Sequence, residues 1–223
     1  MASDGFSEEW DSLWEMAHSY GKWPWTDVVA LVNEYCSLGE LRVLELGCGP
    51  GTNIPFFQTH DADYYAVEGS DHAARIARNR FPRYADQIAV ADFTESIPFD
   101  GPFDLVLDRA SLTANSTERI EQCLSMVTDR LRSDGHLICI DLYATDDLNY
   151  DSDGNGPDEY TRRGFEDGRF EGMGKIHFFD EDHLQETFDA FEPLHLTHTT
   201  EQLKIPQQEQ RAQWTFVGTP VTE

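Results

Sequence analysis

Five short apolar runs alternate with helical stripes between residues 41 and 142. The runs are Arg42–Leu46, Tyr64–Glu68, Ile88–Ala91, Phe103–Leu107 and His136–Asp141. Between them, residues 53–58, 71–79 and 117–131 carry apolar side chains at helical spacing. The clearest stripe is Ile120, Cys123, Leu124, Val127 and Leu131. Strands separated by helices form a parallel sheet buried on both faces. The expected fold class is therefore α/β and doubly wound.

The flanks of this region read differently. Residues 8–20 place Trp10, Leu13, Trp14 and Ala17 at helical spacing, and Thr26 is expected to cap a second helix that ends at Gly39. Residues 1–39 are thus expected to form an N-terminal helical cap. Residues 142–175 are rich in Asp, Gly, Asn and Tyr and have no steady period. A long irregular stretch in a compact domain is usually functional, so 142–179 is expected to be a lid or acceptor insertion. A helix at 182–188 and apolar stretches at 191–197 and 213–219 complete a single domain over 1–223.

Charge narrows the partners. The chain has 42 acidic and 16 basic residues, a net charge of −26. Such a surface repels phosphate backbones and anionic membranes, so no nucleic-acid or membrane partner is expected. No apolar run of membrane-spanning length and no basic, apolar leader occurs. Cys36, Cys48, Cys123 and Cys139 form no C-x-x-C pair. Reduced thiols, no metal site and a cytoplasmic location follow as expectations.

The first strand runs into Glu45-Leu46-Gly47-Cys48-Gly49-Pro50-Gly51. Glycines here let the backbone bend tightly and approach a ligand closely. The spacing is G-x-G-x-G, not the G-x-G-x-x-G of a dinucleotide turn, and no Gly-Lys-Ser/Thr follows. An acid before the first glycine would repel a diphosphate. Glu68 ends the second strand, where a carboxylate can accept both hydroxyls of a ribose. Asp92 stands beside Phe93 after the third, suited to an adenine amino group and ring. Three acids on neighbouring strand ends suit a ligand with ribose, adenine and a positive charge, but no phosphate.

The ordered set ELGCGPG (45–51), VEGSD (67–71), ADF (91–93), FDLVLDRASL (103–112) and LRSDGHLICIDL (131–142) resembles class I S-adenosylmethionine-dependent methyltransferases. The likeness extends less specifically to small bacterial or archaeal members associated with surface glycans or small metabolites. The resemblance implies a Rossmann-like methyltransferase fold, with a seven-stranded, mostly parallel sheet whose last strand, 213–219, is antiparallel. It implies S-adenosyl-L-methionine as cofactor. Gly47, Cys48 and Gly49 would line its methionine part, Glu68 would hold the ribose, Asp92 and Phe93 the adenine, and Asp108 would close the site. Glu45, Gly51, Asn53, Gly69 and Ser70 belong to the same expected cofactor set.

The acceptor is less constrained. The fourth strand is followed by Asp108-Arg109-Ala110-Ser111, not the Asn/Asp-Pro-Pro-Tyr/Phe of amino-methylating DNA enzymes, and no Pro-Cys nucleophile is present. Methyl transfer needs alignment and exclusion of water, and a hydroxyl acceptor also needs a base. Arg109 and Asp108 end the fourth strand, Asp141 ends the fifth, and His177 ends the irregular stretch; these are the catalytic candidates. His177 is expected to face the acceptor. The expected function is methyl transfer to a small-molecule or sugar acceptor, with a hydroxyl among the candidates. A non-catalytic S-adenosylmethionine-binding partner protein is the alternative. The oligomeric state is left open.

Overall fold

The computed structural model describes residues 6, 9–16, 20–150, 155–206 and 209–221. Two helices come first, α1 (Glu9–Met16) and α2 (Thr26–Tyr35). Then β1 (Arg42–Leu46), α3 (Ile54–Thr59), β2 (Asp63–Glu68), α4 (Asp71–Arg80), β3 (Ile88–Val90) and β4 (Phe103–Arg109) alternate. They are followed by α5 (Thr117–Thr128), β5 (Leu131–Tyr143), β6 (Thr161–Arg163), β7 (Lys175–His177), α6 (Glu181–Thr187), β8 (Phe191–Leu203) and β9 (Glu209–Pro220). One seven-stranded sheet runs β3-β2-β1-β4-β5-β9-β8, and β6 pairs with β7 separately. Strands β1 to β5 are parallel where they pair, and β9 is antiparallel to both β5 and β8. The expected doubly wound sheet with its last strand antiparallel is the one observed.

Alternation along the strands explains the two layers. Val43, Leu105, Leu107 and Ile138 face a core with Val28 and Val32 of α2, Phe57 of α3 and Ala74 of α4. Leu44, Val106 and Cys139 point the other way, to Ile120 and Leu124 of α5 and Leu184 of α6. Both faces are thus covered. Each fully buried Leu, Val or Phe side chain contributes about 1.5–3 kcal/mol.

Several boundaries differ from expectation. Within residues 8–20, helix is described over 9–16; Ala17 lies outside the described residues. Trp25, not Thr26, occupies the cap position of α2, and no side chain caps it. The helix stops at Tyr35, ahead of Gly39. Leu131 is not the end of α5 but the start of β5: Phe103 pairs with Leu131 and Leu105 with His136, so the residues between bulge outward. The 142–179 segment is not structureless. Its two three-residue strands pair antiparallel, and Phe170, Ile176 and Phe178 form a small core of their own with Tyr143 and Tyr150. Strands this short carry no readable period, although their aromatics suffice for a local core.

Candidate active site

The strand ends of β1, β2 and β4 meet at the glycine turn. Gly47 has a φ of +66°, and a Cβ there would lie 2.1 Å from Ser111 Oγ. Glycine is required on both counts. Gly49, at φ +53°, is approached by the Trp14 ring, 3.2 Å from the position a Cβ would take. Gly51 only shapes the turn, against Ile54 and Phe81.

Glu45, Glu68 and Asp108 are buried, and Asp92 is half-buried. Glu45 accepts from Asn53 Nδ2 at 2.8 Å and from the Tyr64 hydroxyl. Burial pushes its carboxyl up to about 7, against the pull of those two donors. Glu68 accepts from the Gly49 N–H at 2.7 Å and the Ser70 N–H at 2.9 Å, and so ties the first glycine turn to the end of β2. Burial raises its pKa as well. Asp92 accepts from Thr94 at Oδ1 and from the Phe6 N–H, 2.8 Å away, at Oδ2. Asp108 accepts from the Ser111 and Leu112 N–H groups at Oδ1 and closes the turn after β4; its buried Oδ2 has no partner. Burial lifts this carboxyl to about 7.

Arg109 forms the charged wall. Its Nη2 is 2.7 Å from Asp141 and 3.3 Å from Asp27, and its guanidinium lies 3.9 Å from the centre of the Trp25 ring. Asp141 and the neighbouring Ala110 both have positive φ, 58° and 61°. The β5–β9 pairing slips between Cys139 and Leu142 at the same point. Non-glycine residues in this region are strained, and bulges re-aim side chains. Here they turn Asp141 toward Arg109.

Together these elements bound a cavity of about 400 Å³. Of the expected residues, Glu45, Gly47, Cys48, Gly49, Asn53, Glu68, Gly69, Asp92, Phe93 and Arg109 line it. Gly51, Ser70, Asp108 and Asp141 stand behind that wall. Sequence reasoning did not assign Phe6, Trp10, Trp14, Ser111, Asn115 and Met173 to the site, yet they line it too. Spacing held a signal: Phe6, Trp10 and Trp14 recur every four residues, one face of a helix.

His177 is the main correction. It is wholly buried in β7, outside the cavity wall. Its Nδ1 meets Thr161 Oγ1 at 2.9 Å and its Nε2 meets His183 Nε2 at 3.0 Å. Burial, with the His183 and Arg162 charges, drives its pKa down to about 3. The aromatic surroundings of β7, with Phe179 4.4 Å away, draw the ring inward. The structure thus does not bring it to the acceptor side.

The donor set fits S-adenosylmethionine. A glycine cradle is present, and Trp10 Nε1 is a buried donor with no partner. A ligand acceptor would relieve that vacancy, which otherwise costs about 1–3 kcal/mol. Among the lining residues Arg109 is the single Lys or Arg, and it is already flanked by two carboxylates, so a diphosphate finds little to hold it. Among the described residues no group of three His, Cys, Asp or Glu could hold a metal ion, and no helix is long and apolar enough to cross a membrane. Glu68→Ala should weaken S-adenosylhomocysteine binding by about 1–3 kcal/mol, the range for hydrogen bonds to a charged group. Titration calorimetry checks this; an unchanged affinity would confine Glu68 to holding the turn.

Residues 44–137 match the family described as a methyltransferase domain. An uncharacterized methyltransferase of Staphylococcus carnosus is 28% identical over 111 residues, 50% of this chain and 52% of that protein. The match thus spans about half the length of that curated relative. A S-adenosylmethionine-dependent methyltransferase of Methanosarcina mazei superposes with a TM-score of 0.68 at 17% identity, covering 86% of this chain and 98% of its own. The 1,6-didemethyltoxoflavin-N1-methyltransferase of Burkholderia thailandensis, solved with bound 1,6-didemethyltoxoflavin and S-adenosylhomocysteine, gives a TM-score of 0.61 at 15% identity, covering 88% of this chain and 78% of its own. Residues 44–137 thus match a methyltransferase domain, and the glycine turn and strand order give the chain the fold of S-adenosylmethionine-dependent methyltransferases.

Proposed function

We propose that this protein moves a methyl group from S-adenosylmethionine to a small-molecule or sugar acceptor at the end of the cavity bounded by Trp25, Arg109 and Met173. The observation that carries this reading is the set of buried acids, Glu45 and Glu68 beside Asp92, around a glycine turn without a phosphate-binding lysine. When bound, the cofactor supplies a methyl carbon activated by its sulfonium. The chain's residues align and enclose. Glu68 and Gly49 fix the turn, and Glu45, held by Asn53 and Tyr64, anchors the strand end that leads into it.

At the acceptor end Arg109 is the contact residue, and Asp141 and Asp27 fix its direction. Burial raises the Asp141 carboxyl, with Arg109 opposing. Asp141 and Asp108, both behind Arg109, are the carboxyl groups from which a base would come if the acceptor is a hydroxyl. The likeness of fold to a methyltransferase that acts on a small heterocycle supports an acceptor of that size.

The test is release of S-adenosylhomocysteine with a panel of sugars, alcohols, carboxylic acids, thiols and amines. Turnover with one class, abolished in Arg109→Ala, is the expected result. Tight cofactor binding with no release from any class would favour a non-catalytic binding protein.

A further inference from the structure

The cofactor cradle of this fold is built at the strand ends, but here its outer wall comes from Phe6 and from α1. Phe6, Trp10 and Trp14 all line the cavity. The Phe6 ring covers Gly69: a Cβ on that glycine would meet it at 2.2 Å. Trp14 covers Gly49 in the same way. Gly69 follows β2 and Gly49 lies in the turn after β1, so the stripe spans the cradle from one strand end to the next.

The stripe is tied down by the acids and hydroxyls of the cradle. The Phe6 N–H donates to Asp92, and Asp11 of α1 accepts from the Ser70 hydroxyl and, at 3.3 Å, from the His72 N–H. Tyr20 donates its hydroxyl to the Trp14 carbonyl at 3.3 Å. Yet α1 contains no fully buried residue. Three large aromatic side chains thus turn toward the cavity and find no core there. Burial of so much apolar surface is worth several kcal/mol only when something fills the space. Trp10 adds a polar demand, because its Nε1–H is buried among these groups without an acceptor. Asp92 has both oxygens engaged within the chain, one of them by the stripe itself.

We infer that Phe6, Trp10 and Trp14 are a cofactor-binding element, a roof that closes over the bound nucleoside, with the Trp10 indole N–H donating to it and Asp92 holding the roof in place. The inference rests on S-adenosylmethionine being the ligand of this cavity. It gives Asp92 a role besides any contact with adenine. It also leaves the side bounded by Arg109 and Met173 as the way in for an acceptor once the roof is shut.

The full-length chain can be tested by calorimetry with S-adenosylhomocysteine, without any acceptor. Trp10→Phe keeps the ring and removes only the donor; affinity should fall about 5- to 10-fold. Phe6→Ala should cost about tenfold or more. Both variants should melt, without ligand, within a degree or two of the parent, because neither Phe6 nor Trp10 belongs to a buried core. Ligand should raise the melting temperature of the parent more than that of either variant. Parent-like affinity in both variants overturns the roof. An unliganded melting temperature lowered by many degrees in both also overturns it, because the stripe is then a structural support. If the parent itself binds no S-adenosylhomocysteine, the proposed function fails first, which is a different result.

Discussion

Replacing Gly47 by Ala should reduce S-adenosylhomocysteine affinity at least about 100-fold, or about 2.7 kcal/mol. Two independent causes act together. The residue sits at φ +66°, where an L side chain costs about 1–2 kcal/mol. Its Cβ would also lie 2.1 Å from Ser111 Oγ and 2.5 Å from Ser111 Cβ. Neither Ser111 nor the turn can move freely: Ser111 donates its N–H to Asp108 and its hydroxyl to the Gly47 carbonyl. The clash therefore shifts the turn that shapes the cavity floor. A second variant separates the two causes. Adding Ser111→Gly to Gly47→Ala removes both colliding atoms and should recover part of the affinity, leaving the backbone strain. Calorimetry on the three proteins decides the matter, and parent-like binding by Gly47→Ala would refute it.

His177→Ala should lower stability by about 2–4 kcal/mol, the range for truncating a large buried ring that is also hydrogen-bonded, and leave S-adenosylhomocysteine affinity within a factor of two. The sign of the accompanying pH effect follows from the direction of the shift. Burial holds the folded-state pKa down to about 3, whereas an unfolded histidine titrates near about 6.5. The folded state thus excludes a proton that the unfolded state accepts. The stability this histidine contributes is complete above the unfolded pKa and is lost as pH falls from about 6.5 toward 3. His183, also lowered by burial, acts in the same direction. Denaturant titrations at pH 7 and pH 5 should show a steeper acid loss in the parent than in His177→Phe, which keeps the ring volume without the titrating nitrogen. Equal slopes, or a tenfold change in ligand affinity, would contradict this assignment.

The sheet was legible because its strands are covered on both sides. Val43-Leu44 and Leu105-Val106-Leu107 read as continuous apolar runs only when opposite faces both need apolar cover. The glycine turn was legible for a steric reason, since Gly47 and Gly49 sit at φ values that few other residues tolerate. What escaped was tertiary in origin. The Trp10 and Trp14 spacing announces a helix face, but local sequence does not say whether that face meets a core or a cavity. His177 is the converse case. A histidine near a lid reads as chemistry, and only the packing of Phe179 and His183 around it reveals a buried pair. The β6–β7 pair went unseen because three residues are too few to show a period of two.

The order of strands in space differs from their order in the chain, and this matters during synthesis. Strand β8 is made before β9 but lies outside it, and in the sheet it pairs only with β9. Until residues 209–220 leave the ribosome, β8 has no partner and β5 presents an open edge to solvent or to another nascent chain. Unpaired edges of this kind template association between chains. Ribosome-bound chains stopped near residue 205 would carry the parallel half of the fold together with two unmatched strands. The arrival of β9 closes both at once.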